Sequence, residues 1–207
     1  MGSVPILLLL SILAVSVSCG CSAGPPPAVY DTDGHELSAD ATYYVLPAKP
    51  GHGGGLTMAP RGPPCPLLVA QETDERRKGT PVRFSPRGGG SPPPSTTDRN
   101  RAIRVSTDVS IRFVATVTFC LQSTKWYIGD EPFTGKRLVV TGPVISASPS
   151  GREDVFRVEK QQGGAGYKLV SCRDSCQDLG VSRDGPGAWL GASQPAHIVV
   201  FEKTKSS

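Results

Sequence analysis

Three histidines are the side chains best suited to acid–base catalysis or metal binding: His35, His52 and His197. His52 lies in the turn-forming stretch PGHGGG, His35 follows a second turn, and His197 opens a strand-like run. None is accompanied by a serine or cysteine in a nucleophile arrangement, and the chain contains no G-x-S-x-G motif. The sequence therefore predicts a protein that is not an enzyme.

One stretch has the acidic spacing of a calcium loop, DTDGHE at residues 31–36. Its glycine comes too early for an EF-hand loop, and the liganding glutamate at position twelve is missing. The stretch is more typical of a β-turn closed by an Asx hydrogen bond, with Gly34 supplying a positive φ. We therefore expect no metal ion here.

The first 23 residues have the composition of a secretory signal peptide. The apolar run ILLLLSILAVSV (residues 6–17) is too short to span a bilayer comfortably. Cys21 and Ala23 are the small residues that suit cleavage after Ala23. Residues 24–207 then form a single mature domain, and we expect it to be secreted and extracellular.

Four cysteines remain in the mature chain: Cys65, Cys120, Cys172 and Cys176. An even number in an oxidising compartment predicts disulfides. Three pairings are possible, and the simplest joins Cys172 to Cys176 locally and Cys65 to Cys120 across the fold. A metal site at Cys172 and Cys176 is disfavoured, because no histidine is near and no second pair repeats the spacing.

The charge pattern argues against two classes of partner. The net charge is only +4, and the Lys and Arg residues are scattered rather than clustered with aromatic residues. Nucleic-acid binding is therefore not expected. The mature chain also lacks an apolar stretch that could hold it in a membrane.

The mature chain consists of short β-type runs separated by Gly, Pro, Asp and Ser. Many short strands at regular spacing in one domain predict an all-β barrel or sandwich. PVRF, DVFRVEK and HIVVFEK end alike, which is compatible with a repeat of about 60 residues. We therefore expect a threefold β-trefoil, with a jelly roll or other sandwich as the second choice. The predicted strands are YYVLPA, PLLVAQE, VRFS, IRVSTDVSIRFVATV, KWYI, RLVVTGP, VFRVEK, YKLVSC, AWLGA and HIVVFEK.

The run RGGGSPPPSTTDRN (residues 87–100) has the composition of a flexible linker. Strand-like sequence continues on both sides of it, and Cys65 and Cys120 flank it. If those two cysteines are bonded, the run lies inside one covalently closed domain. A surface loop is then a better interpretation than a linker.

The stretch VYDTDGHELSADATYYV (residues 29–45) and the ordered motifs that follow it resemble the Kunitz soybean-type inhibitors, and most closely the cereal α-amylase/subtilisin inhibitors. The resemblance begins at this stretch and covers essentially the whole mature chain. It implies a β-trefoil of twelve strands with the disulfides Cys65–Cys120 and Cys172–Cys176. The motifs that continue the likeness are HGGGLTMAP, STDVSIRF, TGP, SPSGRE, YKLVSC, CQDLGV and VVF.

The resemblance implies that the loop of residues 86–100 contacts a serine protease, with the reactive bond at Gly89–Gly90. Prolines in the loop favour an extended backbone and lower the entropy lost on binding. The loop is longer than in the family, and its three glycines lower its rigidity. The expected contact residues are Arg87, Gly88, Gly89, Gly90 and Ser91.

A second surface is implied for α-amylase, formed by Ser106, Lys168, Arg183 and Asp184. Lys168 would direct its charge at acidic residues of the amylase cleft.

The chain departs from the family pattern at three positions of this surface. Gln194 stands where the family often has Glu, Ala196 where it often has Tyr, and Gln161 replaces an aromatic residue. Because aromatic anchors are frequent hot spots, we expect amylase inhibition weaker than the family norm.

The sequence thus predicts a secreted, monomeric, bifunctional inhibitor of subtilisin-like serine proteases and plant α-amylase. The resemblance places such a protein in the seed endosperm or apoplast. No cofactor is expected, although the resemblance allows for a calcium ion that bridges the interface with α-amylase. The alternative is a carbohydrate-binding trefoil for storage or defence, which the absence of a Q-x-W motif disfavours.

Overall fold

The computed structural model describes residues 24–62, 64–87, 101–114, 120–130, 135–142, 154–172, 175–183, 185 and 187–205. The predicted signal peptide lies outside these ranges. Within them there is no α-helix, and so none that could cross a membrane. The strands are β1 Tyr43–Pro47, β2 Leu56–Pro60, β3 Leu67–Gln71, β4 Val82–Pro86, β5 Val109–Phe113, β6 Trp126–Asp130, β7 Arg137–Thr141, β8 Phe156–Lys160, β9 Tyr167–Cys172, β10 Cys176–Ser182, β11 Trp189–Ala192 and β12 Ile198–Lys203.

Six strands close into an antiparallel barrel. The ring runs β1–β4–β5–β8–β9–β12 and returns from β12 to β1. Because the ring is closed, the barrel leaves no strand edge open for pairing with another chain.

The other six strands form three hairpins, β2–β3, β6–β7 and β10–β11. Their inner strands β3, β7 and β11 pair with one another in a triangle that caps the barrel. The chain therefore consists of three four-strand units around one axis. This arrangement is a β-trefoil, and the predicted fold class is confirmed.

The three stretches with similar endings, PVRF, DVFRVEK and HIVVFEK, lie on the fourth strand of each unit, which is β4, β8 or β12. These strands place Phe84, Phe156 and Phe201 fully inside the barrel. Phe84 and Phe201 meet edge to face at 5.4 Å between ring centroids, and Phe156 meets Trp126 in the same way at 6.1 Å. Burial alternates along the strands, as a barrel with one inner face requires. Trp126 is thus a core residue.

The strand predictions were incomplete at three places. β2 and β10 were not among the predicted runs, although both form full hairpin partners. In the described part of the long run IRVSTDVSIRFVATV, residues 103–114, there is one strand, β5, because the backbone turns at Ser106. Ser106 adopts a φ of 59°, a left-handed conformation that a strand does not contain.

Both predicted disulfides are present. Cys65 and Cys120, 55 residues apart in sequence, are bonded with a Cα–Cα distance of 5.8 Å. Cys172 and Cys176 are bonded across the paired ends of β9 and β10. The first bridge joins the chain on the two sides of residues 87–100, and the flanking strands β4 and β5 pair with each other, so both sides belong to one covalently closed unit.

Candidate functional site

The loop between β4 and β5 leaves and re-enters the barrel through a tight base. Pro86 pairs with Val109 at the end of the β4–β5 ladder. The backbone N–H of Arg87 then donates to the carbonyl of Asp108 at 2.7 Å. Of the predicted protease-contacting residues, Arg87 is described, whereas Gly88, Gly89, Gly90 and Ser91 lie outside the described residues.

The side chain of Arg87 folds back onto the scaffold. Its guanidinium forms an ion pair with Asp154, which also receives the ammonium of Lys125. Asp154 is buried, with 6% of its surface exposed. Burial by itself would raise the pKa of this carboxyl, but the hydrogen bonds from Lys125 and Arg87 lower it below the ordinary value of 3.8. The carboxylate is therefore charged, and it ties the departing arm of the loop to the start of β8.

A second ion pair holds the returning arm. Arg157 Nε, on β8, donates to Asp108 Oδ1 at 2.6 Å. Both arms are thus fixed to the same short segment, residues 154–157. A loop held at its base loses less conformational entropy on binding than a free peptide of the same length.

The N-terminal segment covers the returning arm from the other side. Isolated bridges join Ala28 to Arg104 and Ser38 to Ala102. Ile103 N–H donates to the carbonyl of Leu37 at 2.8 Å, and its side chain is buried in the core. The backbone of residues 101–105 is therefore part of the scaffold.

Sequence reasoning missed the three side chains that brace the loop, Asp154, Lys125 and Arg157. They come from segments far from the loop in sequence, and no local motif marks them. The weak signal available was an acidic residue directly before a buried strand, at Asp154. Which cation it meets depends on how the barrel closes.

The structure brings Ser106 and Lys168 to one surface. Ser106 Oγ donates to Glu159 Oε2 at 2.6 Å, and Glu159 is the cross-strand partner of Lys168. Lys168 Nζ forms an ion pair with Asp178 Oδ1 at 2.7 Å. Asp178 thus holds the ammonium of Lys168 at this surface, where 30% of the lysine side chain is exposed.

The departure at Gln194 belongs to the same cluster. Its side-chain amide donates to Asp178 Oδ2 at 2.8 Å. Burial would raise the pKa of Asp178, but hydrogen bonds from Lys168 and Gln194 lower it. A glutamate at position 194 would face this carboxylate and be repelled by it.

Arg183 lies apart from this cluster, in a cavity beside it. Its Nη2 donates to the carbonyl of His52 and to Gln71 Oε1, both at 3.3 Å. Ala196 and Gln161 line the same cavity. Ile198 connects the two regions, because it lines the cavity and pairs with Lys168. Asp184 lies outside the described residues.

Among the described residues, one group could offer three metal-binding atoms close together, Asp31, Asp33 and His35. Asp31 Oδ1 already accepts the backbone N–H groups of Asp33 and His35, at 3.0 and 2.8 Å. Gly34 has a φ of 81°. This geometry is the predicted Asx turn.

Comparison with known proteins defines the class of protein to which this trefoil belongs. Residues 29–203 match the Kunitz legume family model, whose description is trypsin and protease inhibitor. The chain is a member of this family.

The more particular likeness is to cereal proteins. The chain is 72% identical over 201 residues to an alpha-amylase/subtilisin inhibitor of Oryza sativa subsp. japonica, covering 97% of this chain and 95% of that protein. It is 58% identical over 183 residues to the endogenous alpha-amylase/subtilisin inhibitor of Triticum aestivum, covering 86% and 97%. The solved structure of the rice bifunctional alpha-amylase/subtilisin inhibitor superposes with a TM-score of 0.73 at 68% identity, covering 87% of this chain and 100% of that one.

Proposed function

We propose that this protein is a non-catalytic, bifunctional inhibitor of subtilisin-type serine proteases and of plant α-amylase. The protease would be occluded non-covalently by the β4–β5 loop. The observation that carries this assignment is the bracing of both loop arms by Asp154 and Arg157. An exposed loop on a fixed base is what a protease cleft requires of an inhibitor that is released slowly.

Arg87 acts in this proposal as an anchor of the loop and not as the residue offered to the protease. Its guanidinium is engaged by Asp154, so it is not available for the acidic S1 pocket of trypsin. The proposed reactive bond remains Gly89–Gly90, and glycine before the bond suits a broad, shallow S1 site. Subtilisin should therefore be inhibited better than trypsin.

The amylase surface is proposed around Ser106, Lys168 and Arg183. Support comes from the cluster that joins Ser106, Glu159, Lys168 and Asp178, and from the cereal relatives named above. Amylase binding should be weaker than in relatives with an aromatic residue at position 196. A bridging calcium ion at that interface remains part of the proposal.

The deciding experiment titrates subtilisin, trypsin and a cereal α-amylase side by side with residues 24–207. Stoichiometric inhibition of subtilisin and of amylase, with trypsin weaker, is the expected result. A protein that inhibits none of the three but binds on a glycan array would support the carbohydrate-binding alternative instead. Secretion is proposed on the N-terminal apolar run, and amino-terminal sequencing of secreted protein should begin at Gly24.

A further inference from the structure

A cavity of about 620 Å³ opens beside the Lys168 cluster. We call it the basic cavity. It lies between the β1–β2 loop, the β8–β9 turn, the end of β10 and the β11–β12 loop. Its volume falls within the range of about 300–1,000 Å³ that is usual for small-molecule sites. The residues that carry the argument are Lys49, His52, Val181, Arg183, Ala196 and His197.

The rim of the basic cavity is positively charged. The mouth is lined by exposed residues, Lys49, His52 and Arg183. None of the described lining residues is Asp or Glu. Arg183 donates only to neutral oxygens, those of His52 and Gln71. Within the described part of the chain, no carboxylate lies at ion-pair distance from Arg183. Its charge is therefore available to an anion from solution.

His197 supplies an unused polar atom in the wall. Its Nε2 is buried and has no hydrogen-bond partner among the described residues. Burial, followed by electrostatic interactions with Arg183 and His52, lowers the pKa of His197 to about 4. The guanidinium of Arg183 is thus near enough to act on the imidazole. A buried polar atom without a partner is uncommon in proteins and is satisfied when a ligand reaches it.

The remaining wall is apolar. Val181, Ala196 and Ile198 line the cavity together with Ala48, Pro47 and Pro195. A site with apolar walls and a few convergent polar groups accommodates a molecule that is partly apolar. A simple inorganic ion would leave these walls unused.

We propose that the basic cavity binds a small organic anion, a phosphate- or carboxylate-bearing molecule with an apolar body. The anionic group would pair with Arg183 at the rim and accept a hydrogen bond from His197. The apolar body would lie against Val181, Ala196 and Ile198. This inference goes beyond the proposed inhibition and does not depend on it.

Phenyl phosphate is a suitable probe, with inorganic phosphate and phenol as its two halves. Calorimetry should show saturable binding of phenyl phosphate, and weaker binding of each half. Nuclear magnetic resonance of the His197 ring should show its pKa rising from about 4 toward 6.5 when the probe is bound, because an adjacent anion favours the protonated imidazole.

Two variants locate the binding. Arg183→Gln removes the rim charge and should weaken phenyl phosphate roughly tenfold. Arg76→Gln is the matched control, because it removes an exposed arginine that pairs with Asp74 and does not line the cavity. Ala196→Tyr fills the cavity without changing its charge and should abolish binding, with unfolding temperature measured to confirm that the variant is folded.

Three results would overturn the proposal. Absence of saturable binding would do so, as would equal weakening by Arg183→Gln and Arg76→Gln, which indicates non-specific attraction. The third result is that the parent protein binds none of the three probes, while Arg183→Gln weakens its affinity for amylase. The basic cavity would then receive an acidic side chain of a partner protein and not a free small molecule.

Discussion

Replacement of Asp154 by asparagine tests whether ion pairing at the base of the β4–β5 loop contributes to protease inhibition. Asp154 is buried and receives both Arg87 and Lys125. The substitution keeps the shape of the side chain and removes the charge that both cations share. The backbone hydrogen bond from Arg87 to Asp108 is unaffected, so the side-chain contacts are tested by themselves.

The expected magnitude follows from burial. Removing one partner of a fully buried ion pair costs about 3–5 kcal/mol. The side chains of Arg87 and Lys125 are 36% and 34% exposed, so water can solvate both cations once the carboxylate is lost. We therefore expect a loss of about 2 kcal/mol. If the ion pair acts by holding the loop in its binding conformation, this free energy is lost from subtilisin binding, and the inhibition constant rises roughly thirtyfold.

The assay titrates subtilisin and a cereal α-amylase with each variant, well below the unfolding temperature. A matched control is Asp178→Asn, which removes the carboxylate of the Lys168 ion pair on the other candidate surface. Asp154→Asn should weaken inhibition of subtilisin and leave amylase unchanged, and Asp178→Asn should affect amylase alone. The unfolding temperature of Asp154→Asn should fall by about 4–8 °C.

A subtilisin inhibition constant equal to that of the parent, measured together with a lowered unfolding temperature, would refute this reasoning. The ion pair would then stabilise the barrel without positioning the loop. The loop would in that case be held by its backbone pairing and by the N-terminal segment that covers residues 101–105.

Three further predictions concern other parts of the fold. Lys168→Leu should weaken amylase binding by about 1.5 kcal/mol, roughly tenfold in surface plasmon resonance, with subtilisin inhibition unchanged; an unchanged amylase affinity would place that surface elsewhere. His197 has a lowered pKa in the folded protein. Between pH 6.5 and about 4 the unfolded chain therefore takes up a proton that the folded protein does not. The free energy of unfolding should then be about 2 kcal/mol lower at pH 5 than at neutral pH. His197→Gln should remove this dependence in urea denaturation, and His35→Gln should keep it. Replacing Cys65 and Cys120 by serine should cost about 4 kcal/mol in the same assay, from the loop that the bridge closes; a loss below about 1 kcal/mol would contradict the chain-entropy account.

Local pattern explains which strands were predictable. β4, β8 and β12 alternate buried Val or Phe with half-buried residues, and this period of two is visible in the chain itself. β2, with the sequence LTMAP, and β10, with CQDLGVS, lack that alternation. They form strands because a hairpin partner supplies their hydrogen bonds, which is a property of the assembled cap.

The sequence by itself determined the all-β class and the cysteine bridges, since turn residues, strand periodicity and family motifs are local features of the chain. The partners of the charged side chains were decided only by the tertiary structure. Arg87 and Asp154 are 67 residues apart and meet because β4, β5 and β8 are neighbours in the closed barrel. Arg183 and His197 likewise share the basic cavity because separate loops converge at one side of the barrel. Periodicity specifies which face of a strand is buried, whereas the meeting of two surface charges depends on strand order and register around the whole ring.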